Sequence, residues 1–124
     1  MSNIIHTNNA PAAIGPYSQA IVTGDLIFTS GQIPVNPESG NIDAVGISEQ
    51  TEQICKNLKV ILEEAGSCLE KVVKTTCFLY NMEDFAQFNA VYEKYFTGKP
   101  ARSCVAVKAL PKGALAEIEV IAEK

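Results

Sequence analysis

The chain carries two helical hydrophobic patterns and more strand patterns than two helices can cover. The strands have apolar residues on both faces: in residues 116–123, for example, Ile118 and Ile121 fall on opposite sides. Two helices can shield one face of a sheet that is built from these strands, so the other face stays open. Because an open apolar face favours association, we expect an α+β fold that binds copies of itself.

The order of the patterns along the chain is β-β-α-β-α-β-β. The helices are expected after Ser48 and Asn81, whose side chains are typical helix caps, and Gly66 and Gly98 are typical of helix ends. Between these signals, apolar residues recur three and four positions apart, which predicts an apolar face on each helix.

The strand patterns are rich in β-branched and aromatic residues. The first predicted strand begins at residue 19. Strict alternation along the third strand puts Val73 and Cys77 on one face and Val72 on the other. The predicted strands are residues 19–22, 26–30, 72–80, 103–110 and 116–123.

Length and composition bound the class of protein. The 124 residues suit one domain that spans residues 1–124, and 47% hydrophobic residues supply its core. A formal net charge of −4 and a single arginine disfavour a nucleic acid as the main partner. The sequence has no secretory signal pattern and no apolar run of membrane-spanning length, so we expect a cytoplasmic protein that binds no membrane.

Cysteine and histidine residues are few and widely spaced. No two cysteines form a Cys-x-x-Cys pair, and His6 is the only histidine. A His-rich metal centre or a Cys-His zinc finger cannot be assembled from this set in one chain, so we expect no metal catalysis, although a site of carboxylate ligands stays open. We expect reduced thiols at all four positions, Cys55, Cys68, Cys77 and Cys104.

Arg102 is the only arginine, and it opens a predicted strand instead of lying in a charged helix face. A guanidinium group offers a planar fork of donors that fits a carboxylate or a phosphate, and it stays charged when it is partly buried. Arg102 is therefore the first candidate for a ligand-binding residue. The alternative is a structural arginine that pairs with Asp or Glu within or between chains.

Glu117 and Glu119 project to one face of the last strand, in a segment made otherwise of Ala, Ile and Val. A carboxylate in an apolar cleft has a raised pKa, so it can exchange protons near neutral pH or orient a water molecule. The alternative is a pair of exposed charges, or an ion pair with Lys74 or Lys108.

Three further positions carry weaker signals. Ser30 and Gly31 end a strand where a long loop begins, so a backbone N–H and a hydroxyl can face a ligand there. Tyr17 follows Gly15 and Pro16 on a stiff loop. Cys104 has no histidine near it in sequence, so a buried thiol whose backbone N–H binds a ligand is favoured over a nucleophile.

Four segments together resemble the Rid family of reactive-intermediate deaminases, also called the YjgF family, and most closely its RidA branch. They are NAPAAIGPYSQA, IFTSGQIPVNPESG, VVKTTCFLYNMEDFAQFNAVYEKYF and PARSCVAVKALPKGALAEIEVIA. The most specific part runs without a gap from Pro100 to Glu117. The residues that match active-site positions of the branch are Tyr17, Ser30, Gly31, Asn89, Arg102, Cys104 and Glu117.

The resemblance implies a chorismate-mutase-like α+β fold, assembled as a homotrimer with clefts between neighbouring subunits. It implies hydrolysis of 2-aminoacrylate, 2-iminobutanoate and 2-iminopropanoate to 2-keto acids and ammonia, with no cofactor and no metal. Arg102 is expected to clamp the substrate carboxylate, helped by the backbone N–H groups of Gly31 and Cys104. Glu117 is expected to position the attacking water.

The same resemblance implies supporting roles for three residues. Tyr17, from the neighbouring subunit, and Ser30 are expected to complete the polar lining, and Asn89 to border the cleft. Ala116 departs from the larger aliphatic residue that is common in the family, which leaves Glu119 as an alternative to Glu117.

Two other functions stay open at this point. One is a regulatory trimer that binds 2-keto acids without turnover, which needs the Arg102 clamp equally. The other is an endoribonuclease or translation inhibitor, which the negative net charge and the single arginine disfavour.

Overall fold

The computed structural model of the protein describes residues 2–124, which form two α-helices and one six-stranded sheet. The strands are β1 (Ser2–Ile5), β2 (Ala20–Thr23), β3 (Leu26–Thr29), β4 (Val72–Leu79), β5 (Ala101–Ala106) and β6 (Ala116–Glu123). The helices are α1 (Ile47–Glu64) and α2 (Phe85–Tyr95). The strand order in the sheet is β1-β2-β3-β6-β4-β5. Strand β5 runs parallel to β4, and the other neighbours are antiparallel.

Both helices pack on one face of the sheet, as predicted. Ile54, Leu58 and Ile61 of α1 are fully buried, and so is Ile118 of β6. Removal of such a side chain from water contributes about 1.5–3 kcal/mol, so this apolar layer holds α1 on the sheet. The predicted alternation in β6 is confirmed, because Ile118 and Val120 are buried whereas Glu119 is exposed.

Helix α1 ends where it was predicted to end, but it begins earlier. Gly66 adopts a φ of +83°, and Ser67 N–H donates to the carbonyl oxygen of Leu62, which closes the helix end. The prediction of Ser48 as the N-cap is wrong: the helix begins at Ile47, after Gly46. Ile47 is buried, so its contact with the core and not a side-chain cap determines the first turn.

Helix α2 follows a short turn that Asn81 caps. The side-chain oxygen of Asn81 accepts a hydrogen bond from the backbone N–H of Glu83, at 2.9 Å. The cap therefore serves the 3-10 turn Met82–Asp84, which leads directly into the helix. The apolar face predicted for the second helix is confirmed, since Phe88 and Tyr92 of α2 are buried.

Three details of the strands differ from the predictions. Strand β1 was not predicted, because it is an edge strand whose side chains are largely exposed and give no burial pattern. Strand β5 covers Ala101–Ala106 instead of residues 103–110, since only this part pairs with β4. A register shift between Val72 and Lys74 buries Val72 and leaves Val73 exposed, the reverse of strict alternation.

No helix formed by residues 2–124 covers the second face of the sheet. Phe28 pairs with Ile21 on one side and with Ile121 on the other, and Phe28 is 40% exposed. Phe78 of β4 belongs to the same face through its pairing with Glu117. We call this surface the open face. Of the helices in residues 2–124, none is long and apolar enough to cross a lipid bilayer.

We predict that the open face is an interface between copies of the chain. The wild-type protein should have three times the mass of one chain in size-exclusion chromatography with light scattering. Ile121→Lys should shift the protein to monomer, because the ammonium group would be buried without a partner. Val45→Lys is the matched control, since Val45 is 83% exposed outside the sheet. A monomeric wild-type protein, or an Ile121→Lys variant of unchanged mass, would contradict the prediction.

Candidate functional site

The seven residues singled out from the sequence form two groups on different faces of the sheet. Arg102 pairs in register with Thr75, which faces the helices, whereas Glu117 pairs with Phe78 on the open face. Side chains on opposite faces of a strand pair point away from each other. One group, the Arg102 group, comprises Arg102, Asn89 and Cys104. The other, the Glu117 group, comprises Glu117, Gly31, Ser30 and Tyr17.

Side chains of α2 hold the guanidinium group of Arg102. Its Nη1 donates a hydrogen bond of 2.6 Å to Oδ1 of Asn89. The guanidinium carbon lies 4.8 Å from the ring centre of Tyr92 and 5.4 Å from that of Phe85. Both distances are within the range of cation–π attraction. A neutral amide and two rings therefore fix the group without cancelling its charge.

Arg102 forms no ion pair within residues 2–124. Its side chain is half-buried, and a half-buried charge is more costly without a counter-ion than an exposed one. Its hydrogen bond to Asn89 uses one of five N–H groups. The remaining donors suffice for a two-point contact with a carboxylate. Within residues 2–124, Arg102 is therefore not a structural arginine that pairs with Asp or Glu.

Cys104 lies two residues after Arg102 on the same face of β5, in register with Cys77 of β4. Burial raises the pKa of the Cys104 thiol, and the charge of Arg102 lowers it in part. Burial also raises the pKa of Cys77, to about 12. Both thiols are thus protonated at neutral pH, which does not suit a nucleophile.

The carboxylate of Glu117 lies directly over Gly31. A Cβ atom at position 31 would overlap the carboxylate oxygen and would lie 2.9 Å from Cδ of Glu117. The contact is maintained by a bridge in which the backbones of Gln32 and Ile118 exchange hydrogen bonds of 2.8 and 3.1 Å. Only glycine can stand here without moving the carboxylate.

Burial raises the pKa of Glu117, and the negative charge of Glu119 raises it further. The two carboxylates follow each other on the same face of β6. Glu119 is exposed, whereas Glu117 is half-buried and lies against Gly31. Of the two, Glu117 is therefore in the better position to exchange a proton with a bound molecule.

Tyr17 and Gly31 line one cavity of about 400 Å³. The phenol of Tyr17 is 53% exposed, and its ring lies against Gly15, whose φ is +132°. Most of the cavity wall is apolar, with Ile14 and Ile33 among its members. Arg102 lies outside it and lines a separate open depression with Asn89 and Tyr92.

The hydroxyl of Ser30 is engaged within the chain. Its Oγ donates to the carbonyl oxygen of Ser18 at 2.6 Å, and its N–H donates to that of Gln19 at 2.9 Å. Ser30 thus ties the loop that carries Tyr17 to the strand that precedes Gly31. A direct contact between Ser30 and a ligand stays a prediction.

The sequence analysis missed three residues that hold the two groups in place. Gln19 is buried and bonds to the backbone of Thr7 and Pro11, which fixes the loop before Tyr17. Tyr92 and Phe85 fit the apolar face predicted for the second helix, but both rings also face Arg102. The spacing of Phe85, Asn89 and Tyr92 at i, i+4 and i+7 was the available signal, because it puts them on one helix face.

The described part of the chain contains no cluster of three or more His, Cys, Asp or Glu side chains that could hold a metal ion.

Comparison with known proteins identifies the class of fold and then the family. The sequence model of the family described as Endoribonuclease L-PSP matches residues 7–124. YyfA, a Rid family protein of Yersinia pestis, has a structure that matches this one with a TM-score of 0.97 and 50% identity over 100% of both chains. The fold is therefore the chorismate-mutase-like fold of the L-PSP proteins. The chain belongs to the Rid family, also called the YjgF family.

Two other relatives have names that concern small molecules. The 2-iminobutanoate/2-iminopropanoate deaminase of Escherichia coli K12 is 51% identical over 126 residues, which cover 98% of each chain. E. coli TdcF, solved with bound serine, matches with a TM-score of 0.94 and 42% identity over 98% of both chains. Other relatives are named as RutC family proteins, a proposed regulator or endoribonucleases. The family alone therefore does not define the activity.

We predict that Gly31→Ala destabilises the protein through Glu117. The added methyl group must displace the carboxylate, and overpacking of this kind costs about 1–2 kcal/mol, which lowers the melting temperature by several degrees. In a Glu117→Ala background the same substitution should cost much less, because the overlapping atoms are gone. Gly46→Ala is the control, since a Cβ there meets no atom within 4 Å; whatever it costs at the start of α1, that cost should be the same with and without Glu117→Ala. Equal effects of Gly31→Ala in both backgrounds would contradict the predicted contact.

Proposed function

We propose that the protein is a hydrolytic deaminase of small 2-imino and 2-enamino acids, which acts without metal or cofactor between the chains of a homotrimer. Arg102 of one chain binds the substrate carboxylate, and the Glu117 group of the neighbouring chain holds the attacking water. The substrates are 2-aminoacrylate, 2-iminobutanoate and 2-iminopropanoate, and the products are 2-keto acids and ammonia.

The observation that carries the proposal is the unpaired charge of Arg102. The guanidinium group is half-buried, held by Asn89 and two aromatic rings, and has no ion pair within the described residues. Such a group supplies a fixed positive charge with free donors, and a carboxylate is the anion that fits its fork. Every proposed substrate has one carboxylate next to the reacting carbon.

The proposed division of the site between chains follows from the two faces of the sheet. One chain has the Arg102 group on the helix side and the Glu117 group on the open face. A molecule as small as 2-iminobutanoate cannot reach both groups of the same chain. Each site would then combine Arg102 of one chain with Glu117, Gly31, Ser30 and Tyr17 of its neighbour. The resemblance implied such a contribution from the neighbour only for Tyr17.

The reaction needs few catalytic groups. 2-Aminoacrylate first gains a proton at its methylene carbon and loses one from nitrogen, which gives 2-iminopropanoate. Water then adds to the imine carbon, and one of its protons passes to the nitrogen through Glu117. The hydroxyl proton of the resulting carbinolamine passes to the nitrogen, the C–N bond breaks with its electron pair on nitrogen, and the products are the 2-keto acid and ammonia. An imine hydrolyses slowly in water alone, so positioning and proton transfer supply the acceleration. Burial and the charge of Glu119 raise the pKa of Glu117, which makes its carboxyl group a better proton acceptor than an exposed one.

The relatives support a small carboxylate as the ligand. The name of the E. coli deaminase states the proposed activity, and bound serine in TdcF is a small amino acid with a carboxylate. Against a nucleic acid as substrate stand the net charge of −4 and the single arginine. A regulator that only binds 2-keto acids needs Arg102 but does not need the carboxylate of Glu117.

We predict that Arg102 and Glu117 affect different kinetic constants. In a coupled assay, threonine dehydratase generates 2-iminobutanoate and semicarbazide traps what remains. Arg102→Lys should raise KM about 10-fold or more, because an ammonium group cannot form the two-point contact. Glu117→Gln should lower kcat about 100-fold and leave binding of 2-ketobutanoate intact. Glu123→Gln, an exposed carboxylate of the same strand, is the control.

The outcomes separate the candidate functions. Suppressed trapping by the wild type, lost in both variants at unchanged mass, supports the deaminase and both roles. If the wild type binds 2-ketobutanoate but leaves trapping unchanged, the regulatory binder replaces the deaminase. If the wild type does neither and instead cleaves RNA, the endoribonuclease replaces both.

A further inference from the structure

Arg102 is held by a chain of contacts that continues past α2 into the sheet. The hydroxyl groups of Tyr92 and Thr75 lie 2.7 Å apart and share a hydrogen bond. Thr75 is fully buried in β4, and it is the residue in register with Arg102 on β5. The ring of Tyr92 thus lies against the guanidinium group at one side and is anchored at its hydroxyl to the neighbouring strand.

The other side of Tyr92 is fixed as well. Its ring stacks on Phe96, with centres 4.4 Å apart and planes inclined by 28°. Phe88, one turn earlier, contacts it at a centre distance of 5.8 Å. A buried phenol needs a hydrogen-bond partner, and Thr75 is the partner that the sheet provides. These contacts therefore hold the ring of Tyr92 in one orientation. The guanidinium group of Arg102, which packs on the ring, is held in one orientation as well.

We propose that Tyr92 and Thr75 are positioning residues, which hold the Arg102 guanidinium group in the orientation that receives a carboxylate. The inference rests on the proposed role of Arg102, and it assigns to Tyr92 and Thr75 a role that acts through the guanidinium group. A free arginine side chain has many rotamers, and their loss on binding reduces affinity. Because Asn89 and Tyr92 already fix the guanidinium group, it avoids this loss of rotamer freedom when a ligand binds.

The residue types at positions 75 and 92 are not those that core packing alone would require. Phe at position 92 would pack equally well with Phe88 and Phe96, and Val at position 75 would fill the same volume. The two hydroxyl groups instead bind each other inside the apolar layer, which costs desolvation of both. The hydrogen bond fixes the rotation of a ring that Phe would leave to packing alone.

The test compares two substitutions that remove the same hydrogen bond from its two ends, Tyr92→Phe and Thr75→Val. Each should raise KM for 2-iminobutanoate and the dissociation constant of 2-ketobutanoate about 3- to 10-fold, with kcat within a factor of two. The double variant should be no weaker than either single variant. In an Arg102→Lys background, Tyr92→Phe should have no further effect on KM.

Tyr95→Phe is the matched control. Tyr95 lies on the same helix, and its hydroxyl bonds to Glu52 of α1 at 2.8 Å, away from Arg102. The substitution removes a similar hydrogen bond from the same helix. It should leave KM, the dissociation constant and kcat unchanged. If Tyr95→Phe weakened binding as much as Tyr92→Phe does, a general loosening of α2 would explain both effects.

A spectroscopic readout follows Arg102 directly. Because Arg102 is the only arginine of the chain, it gives one arginine side-chain Nε–Hε signal. Two aromatic rings lie near it, so its chemical shift reports the stacking. Tyr92→Phe and Thr75→Val should move this signal and broaden it, and Tyr95→Phe should not.

The outcomes distinguish this proposal from the proposed function. If neither substitution changes KM or the Arg102 signal while Arg102→Lys weakens binding, the positioning role is wrong and the deaminase proposal stands. If the wild type binds no 2-keto acid and has no deaminase activity, the proposed function fails instead. A loss of kcat at unchanged KM would assign Tyr92 to the chemical step and would also overturn a positioning role.

Discussion

The two helices cover one face of the sheet, and most other features of the molecule depend on that imbalance. The covered face buries the apolar side of α1 against β6 and the aromatic side of α2 against β4 and β5. The open face keeps Phe28 40% exposed beside half-buried aliphatic residues. Burial of apolar area stabilises by about 25 cal/mol per Å², so a second chain on this face, as we propose, would bury apolar area as a third helix within the chain would.

The same imbalance separates the two groups of candidate residues. Arg102 lies on an edge strand under α2, where Asn89 and the rings of α2 can hold it. Glu117 lies on an inner strand of the open face, where no helix competes for the space above Gly31. Each position suits its residue: a fixed cation needs packed neighbours, and a carboxylate that exchanges protons needs an accessible surface. In the proposed assembly the interface then has both a structural and a catalytic purpose.

Elements that bury one side were predictable from the sequence, and features that depend on strand pairing were not. Hydrophobic periodicity predicted both helices and five strands, because residues such as Ile118 must face the core. Strand β1 lies at an exposed edge and gives no such signal. The side of the sheet on which Arg102 lies depends on the parallel pairing of β5 with β4, which local sequence does not encode. The residue pattern supplied six of the candidate residues and the resemblance added Asn89, but neither predicted their division between two faces.

The distance between Arg102 and Glu117 within one chain also has an electrostatic consequence. An ion pair between them would occupy the guanidinium group and would lower the pKa of Glu117, so both groups would lose the property that the proposed reaction needs. In the proposed site they face one bound molecule from different chains, and the substrate carboxylate neutralises Arg102. The positive charge of Arg102 then acts less strongly on the Glu117 carboxylate when substrate is bound than when it is absent. In the proposed site, the bound carboxylate would thus offset the effect of Arg102 and would preserve the rise in the pKa of Glu117 that burial and Glu119 cause.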